Sequence, residues 1–132
     1  MNRIVVNIGA SSDHFGAFAE NCPGIYGAGD TVQEAKDNVL EGLRLFIARN
    51  KNNLPDILKG EYEIEYKFDV PSFLNYYSSV FSKSALERMT GINQKQLFHY
   101  ASGLRKPSEK TIKKLDTAIH RFAEELNQVH FF

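Results

Sequence analysis

Cysteine is nearly missing from this chain of 132 residues: Cys22 stands alone, so no intrachain disulfide can form. Four scattered histidines and that single thiol leave no zinc-type spacing of ligands, and a reducing interior suits such a chain. Long apolar runs are also lacking. The stretch Met1-Asn2-Arg3-Ile4-Val5-Val6-Asn7-Ile8 offers only about five apolar residues, too few for a signal peptide, and nothing approaches a membrane span. The expectation is a cytoplasmic protein without a membrane partner. Internal repeats and low-complexity tracts are absent too, and 42% hydrophobic with 24% charged residues argues against global disorder.

Net charge is likewise missing, but the zero is a sum of unlike halves. Residues 1–69 hold 7 Lys or Arg against 11 Asp or Glu, a net of −4, while residues 70–132 hold 9 against 5, a net of +4. An acidic segment joined to a basic one implies that the second meets a polyanion and the first does not.

What is present falls into two patterns. Ile4 to Ile8 is β-branched and predicts a strand, with turn residues Ser11-Ser12-Asp13 before a second strand at His14 to Glu20. Ile25 and Tyr26 predict a short third strand, after which Gly27-Ala28-Gly29-Asp30 reads as a turn leading into a helix. Thr31 and Glu34 form a capping box, and Val32, Ala35, Val39, Leu43 and Phe46 make a helical stripe with Leu40 and Ile47 beside it. Asn50 to Gly60 reads as a loop. Glu61 to Phe68 alternates charged and apolar residues, the mark of a strand with one wet face. Pro71 cannot continue a central strand, so a first domain of residues 1–69, ordered β-β-β-α-β, is expected to end near Asp69.

Residues 70–132 carry only helical signals. Phe73, Tyr76, Tyr77 and Val80 are helically spaced, and a last helix is capped by Ser108 after Pro107 with the stripe Ile112, Leu115, Ala118, Ile119, Phe122 and Leu126. Between them, Ser84 to Thr90 predicts a short helix. Gly91 can take the positive φ that ends it, Ile92 fills the angle, and Asn93 caps a second helix. Leu97 and Tyr100 then face inward, leaving Gln94, Lys95, Phe98 and His99 outward. Gln suits adenine, Lys suits guanine, and an apolar ring suits the thymine methyl. Arg105 and Lys106, just past the glycine exit at Gly103, are placed for phosphate. The fold class expected is α+β, with an all-α second domain.

The run from Thr90-Gly91-Ile92-Asn93-Gln94 to Tyr100-Ala101-Ser102-Gly103-Leu104-Arg105-Lys106-Pro107-Ser108 resembles the Xre/Cro class of bacterial repressors over about 40 residues. By that resemblance Gln94, Lys95 and His99 fall on base-contacting positions and Arg105 and Lys106 on backbone-contacting ones; Phe98, outward on the same helix, is a further candidate for the bases, and Asn93 at the helix start for the backbone. A palindromic operator and a homodimer are expected, and the last helix with Val129-His130-Phe131-Phe132 is the candidate dimer contact, the alternative being that they dock on their own subunit. Glu87 stands four residues before Gly91, where the class has a small residue, so either the helices cross wider or Glu87 leans out.

Gly16-Ala17-Phe18, then Cys22-Pro23-Gly24, Gly29-Asp30-Thr31 and Glu34-Ala35, resemble the HicB antitoxin family over about 65 residues. That resemblance implies a partial RNase H-like unit without nuclease chemistry, which covers a HicA-type mRNA interferase toxin while the second domain represses the operon. Acidic and aromatic residues Asp13, Phe15, Phe18, Glu20 and Tyr26 are the candidate toxin contacts, since acidic surface can mimic the polyanion a basic ribonuclease binds.

No enzyme is expected. Asp13, Glu20 and Asp30 sit in turns or at a strand edge rather than converging on two metals, His14 has no serine or cysteine partner at interpretable spacing, and Gly27-x-Gly29 lacks a Walker lysine. No metal and no cofactor are implied. A stand-alone transcription regulator whose first domain senses a ligand or only dimerises is the alternative left open by the residues themselves.

Overall fold

The computed structural model describes residues 1–11 and 13–132. Among these the chain is α+β, with a four-stranded mixed sheet and five α-helices, and it divides into two compact units, Met1–Phe73 and Leu74–Phe132. Of the turn expected at Ser11-Ser12-Asp13, Ser12 lies outside the described residues.

In the first unit β1 (Asn2–Ala10) and β2 (Phe15–Ala19) form an antiparallel hairpin, and β3 (Tyr26–Gly29) pairs with β2. The helix α1 (Val32–Arg49) then leads, through a 3-10 turn at Asp56–Leu58, to β4 (Tyr62–Phe68), which lies parallel to β1. The strand order is β3-β2-β1-β4. Alternation decides the faces: Ile4, Val6 and Ile8 of β1 with Ala17 and Ala19 of β2 are buried beneath α1, which contributes Val32, Ala35, Val39 and Leu43. Asn21 extends the ladder where β2 stops, its Oδ1 accepting from Val5 N–H at 3.0 Å and its Nδ2 donating to Arg3 C=O at 2.8 Å.

The third strand differs from expectation. It runs through Gly27-Ala28-Gly29 rather than ending at Tyr26, because those glycines are required by packing and not by a turn. A Cβ on Gly27 would stand 2.4 Å from Val39 N, and one on Gly29 would stand 2.4 Å from Glu34 Cβ. Bare backbone lets α1 settle onto β3. The capping box forms with one change of partner. Thr31 Oγ1 accepts from Glu34 N–H at 3.0 Å, while the Glu34 carboxylate accepts from Asp30 N–H, one residue before the cap, at 2.8 Å. Because α1 lies over β3 and β2, the inner side of β4 is only half covered, and a groove of about 300 Å³ opens between Leu40, Leu43, Arg44, Ile47, Tyr62 and Ile64.

The helix α2 (Val70–Tyr76) follows directly, with Pro71 in its first turn, and the division between the units falls inside it rather than at Asp69. It ends in a 3-10 turn at Tyr77–Ser79, so Val80, expected on a helical stripe, is 67% exposed. In the second unit α3 (Lys83–Thr90) and α4 (Gln94–Ser102) meet at Gly91, whose φ of 75° is left-handed, and both α4 and α5 (Glu109–Asn127) pack on α3. Leu74, Leu86, Ile92, Leu97, Tyr100 and Leu115 form the core, with the Phe81 and Phe122 rings edge-on at 6.0 Å. No helix among the described residues is long and apolar enough to cross a membrane.

Candidate nucleic-acid and protein interfaces

The bend between α3 and α4 is held by one hydroxyl. Thr90 Oγ1, buried, donates to Leu86 C=O at 2.6 Å and accepts from Ile92 N–H at 3.0 Å, while Gly91 N–H donates to Glu87 C=O at 2.7 Å. Asn93 Oδ1 accepts from Lys95 N–H at 2.8 Å, the cap expected from the sequence. Leu97 and Tyr100 are buried, which leaves Gln94, Lys95 and Phe98 exposed on one face of α4. The Phe98 ring lies beneath Lys83 Nζ, 5.5 Å from its centroid. His99 departs from the outward placement expected of it: the residue is half-buried, and its Nδ1 is shut from solvent with no hydrogen-bond partner among the described residues. Glu87, expected to lean out or widen the crossing, is half-buried and reaches the amino end of α4, where its Oε2 accepts from Gln94 N–H at 3.0 Å.

The exit of α4 is equally defined. Gly103, at φ 80°, closes the helix, and Arg105 N–H returns to His99 C=O at 3.2 Å, so the backbone of the cationic pair is fixed while the side chains of Arg105 and Lys106 stay exposed. Among the described residues, no lysine or arginine of the second unit is in an ion pair; the one such contact there joins His120 and Asp116. The first unit is the opposite, with Arg3, Arg44, Lys59 and Lys67 each bound to a carboxylate. Sequence reasoning missed Lys83 beside Phe98, and Lys114, whose ammonium lies beside the Gly91 turn. The spacing of Lys110, Lys113 and Lys114 on an amphipathic helix was the signal available for the latter.

On the first unit the sheet face away from α1 collects Phe18, Glu20 and Tyr26 with Arg3, Glu63, Glu65 and Lys67. Phe18 and Tyr26 are cross-strand partners, 52% and 73% exposed. Glu20 is held between Asn7 Nδ2 at 3.2 Å and Lys67 Nζ at 3.5 Å, and Arg3 bridges Glu63 at 2.8 Å and Glu65 at 3.7 Å. Phe15 does not join them: alternation along β2 turns it to the α1 side, where it is half-buried. Asp13 sits in the β1–β2 connection with its Oδ1 2.6 Å from His14 Nδ1, and this contact holds its carboxyl below the ordinary aspartate range.

No family model, curated protein or solved structure matches the chain.

What the arrangement can do chemically therefore rests on geometry. Ser11 Oγ also approaches His14 Nδ1, at 2.9 Å, a partner the sequence did not announce. Both Asp13 and Ser11 meet the same ring nitrogen, whereas a relay from acid to hydroxyl needs one on each. Among the described residues no group of three or more His, Cys, Asp or Glu side chains could hold a metal ion. Cys22 is buried, and burial pushes its thiol up, away from the reactive thiolate.

Proposed function

We propose that this chain is an antitoxin of the HicB kind, a HicB-like binding unit followed by an Xre/Cro-type helix-turn-helix that represses its own operon. The observation that carries the DNA half is the concentration of unpaired cations around a glycine-turned helix pair, whose second helix exposes Gln94, Lys95 and Phe98. Cations left without carboxylate partners are free to displace counterions from phosphate. In this reading α4 lies in the major groove, Lys95 and Gln94 read base edges, Phe98 meets a thymine methyl, and Arg105 and Lys106 grip the backbone. His99 contributes less than its sequence position suggested, since it is half-buried.

The partner unit works by covering, without chemistry. Phe18 and Tyr26 supply the apolar centre of the uncovered sheet face, and the acidic excess of the segment attracts a small basic mRNA interferase. A homodimer completes the reader: Ile112, Leu126, Val129, Phe131 and Phe132 remain exposed in the single chain, and a second copy would bury them. Two recognition helices would then be spaced about 34 Å apart on a palindromic operator.

The test has two arms. Full-length protein is offered a random duplex pool and selected sequences are read out. Lys95→Ala is expected to change the preferred bases, while Lys106→Ala weakens all duplexes about equally and lowers the salt slope by about one. No enrichment of any sequence would overturn the DNA half. Co-expression with a HicA-type toxin tests the other half: Phe18→Ala with Tyr26→Ala should lose rescue of growth while leaving duplex binding intact. The alternative, a regulator with a ligand-sensing first unit, has the α1–β4 groove in its favour; it would gain if a small apolar ligand bound there and changed duplex affinity.

A further inference from the structure

The first N–H groups of a helix have no intrahelical partner and carry partial positive charge, so a helix start draws phosphate. At α4 two of these donors are already taken. Lys95 N–H is held by Asn93 next door, a neutral local cap. Gln94 N–H is held by Glu87, which reaches across from α3, seven residues back, and brings a full negative charge to the same place. Glu87 is half-buried, and among the described residues it is in no ion pair. A carboxylate thus stands at the amino end of α4, where the helix dipole would have received an anion, in a unit whose lysines and arginines are in no ion pair among the described residues.

We propose that Glu87 is a positioning and specificity residue of the DNA-reading face, closing the amino end of α4 to backbone phosphate. This role rests on α4 being the recognition helix. With that end closed, phosphate is met by Arg105 and Lys106 at the other end of α4, and the register on the duplex is set by side chains that distinguish bases, not by a helix terminus that accepts any phosphate. The carboxylate therefore lowers affinity for DNA of arbitrary sequence, while its hydrogen bond keeps the first turn of α4 ordered.

Charge and cap separate by substitution. Glu87→Gln keeps an oxygen that accepts from Gln94 N–H and removes the charge; Glu87→Ala removes both. The probe is a mixed-sequence duplex of about 20 base pairs, titrated with full-length protein over a range of salt. Glu87→Gln is expected to bind it about three- to fivefold tighter at low salt, the effect of one nearby unit charge at a surface. Its log–log salt slope should steepen by about 0.9, one further phosphate contact. Amide exchange needs no DNA: Gln94 should stay protected in Glu87→Gln and exchange several-fold faster in Glu87→Ala. Unchanged affinity and slope in Glu87→Gln, beside a native chain that binds, would overturn the proposal and leave the DNA reading standing. Equal Gln94 exchange in all three proteins would overturn the cap. A native chain that binds no duplex even at low salt would remove the DNA reading and the proposal together, and that titration alone tells the cases apart.

Discussion

At the scale of single residues, two glycines on neighbouring strands do different work. Gly27 has no room for a methyl, with Val39 N at 2.4 Å from where a Cβ would stand, whereas a Cβ on Gly16 would meet nothing within 4 Å. Gly27→Ala is expected to destabilise by about 1–3 kcal/mol through forced separation of α1 from β3, and Gly16→Ala by little, as denaturant midpoints would register. In the sequence the two cannot be told apart, because the reason for Gly27 lies in a helix turn twelve positions on. Cys22 is buried. Its burial predicts that a thiol reagent at pH 8 labels the native protein at least about a hundred times more slowly than the urea-unfolded chain. Asp13 supplies the pH-dependent case. Its carboxyl is lowered, first by the hydrogen bond from His14, so the small benefit it confers is present above the unfolded aspartate range and is lost as pH falls through the lowered value. An NMR titration should show the Asp13 midpoint below that of an aspartate in a model peptide, and the lowering should vanish in His14→Ala.

At the scale of elements, most starts and stops could be read, since caps are local chemistry. Thr31, Asn93 and Ser108, expected as caps, and Ser82, which was not, each accept from an N–H in the first turn that follows. Asp69 reads in the sequence merely as the end of a domain, yet it does more. Its Oδ1 accepts from Ser72 N–H at 2.8 Å, starting α2, and its Oδ2 accepts from Ala10 N–H at 2.9 Å, fixing the end of β1. The second partner is 59 residues away, which no local pattern announces. Asp69→Ala should cost about 1–3 kcal/mol, seen as a fall in thermal midpoint, with early loss of amide protection at Ala10 and Ser72. Thr90→Val belongs beside it: the methyl fills the space of the hydroxyl but strands the Ile92 N–H, and a comparable loss is expected. Side-chain faces were legible from period alone for Leu97 and Tyr100. His99 was not, because half-burial on a helix depends on what packs over it.

For the whole molecule, composition already separated an acidic segment from a basic one, and the structure adds how the charges are spent. Among the described residues, carboxylates hold most cations of the first unit, while no lysine or arginine of the second is in an ion pair. What alternation could not supply is the identity of strand neighbours: it gives β4 a wet face and a dry one, but not its place alongside β1. That placement makes β1 an interior strand whose second neighbour lies about 60 residues further along the chain, with Ile4 beside Ile64 and Ile8 beside Phe68. A ribosome adding about 5–20 residues per second needs roughly 3–12 seconds to travel between them. Throughout that interval the hairpin of β1 and β2 shows an open apolar edge to proteases and to other nascent chains. Each new copy therefore passes through a short period in which one edge of β1 waits for its partner, and the length of that period is set by translation speed, not by the stability of the finished fold.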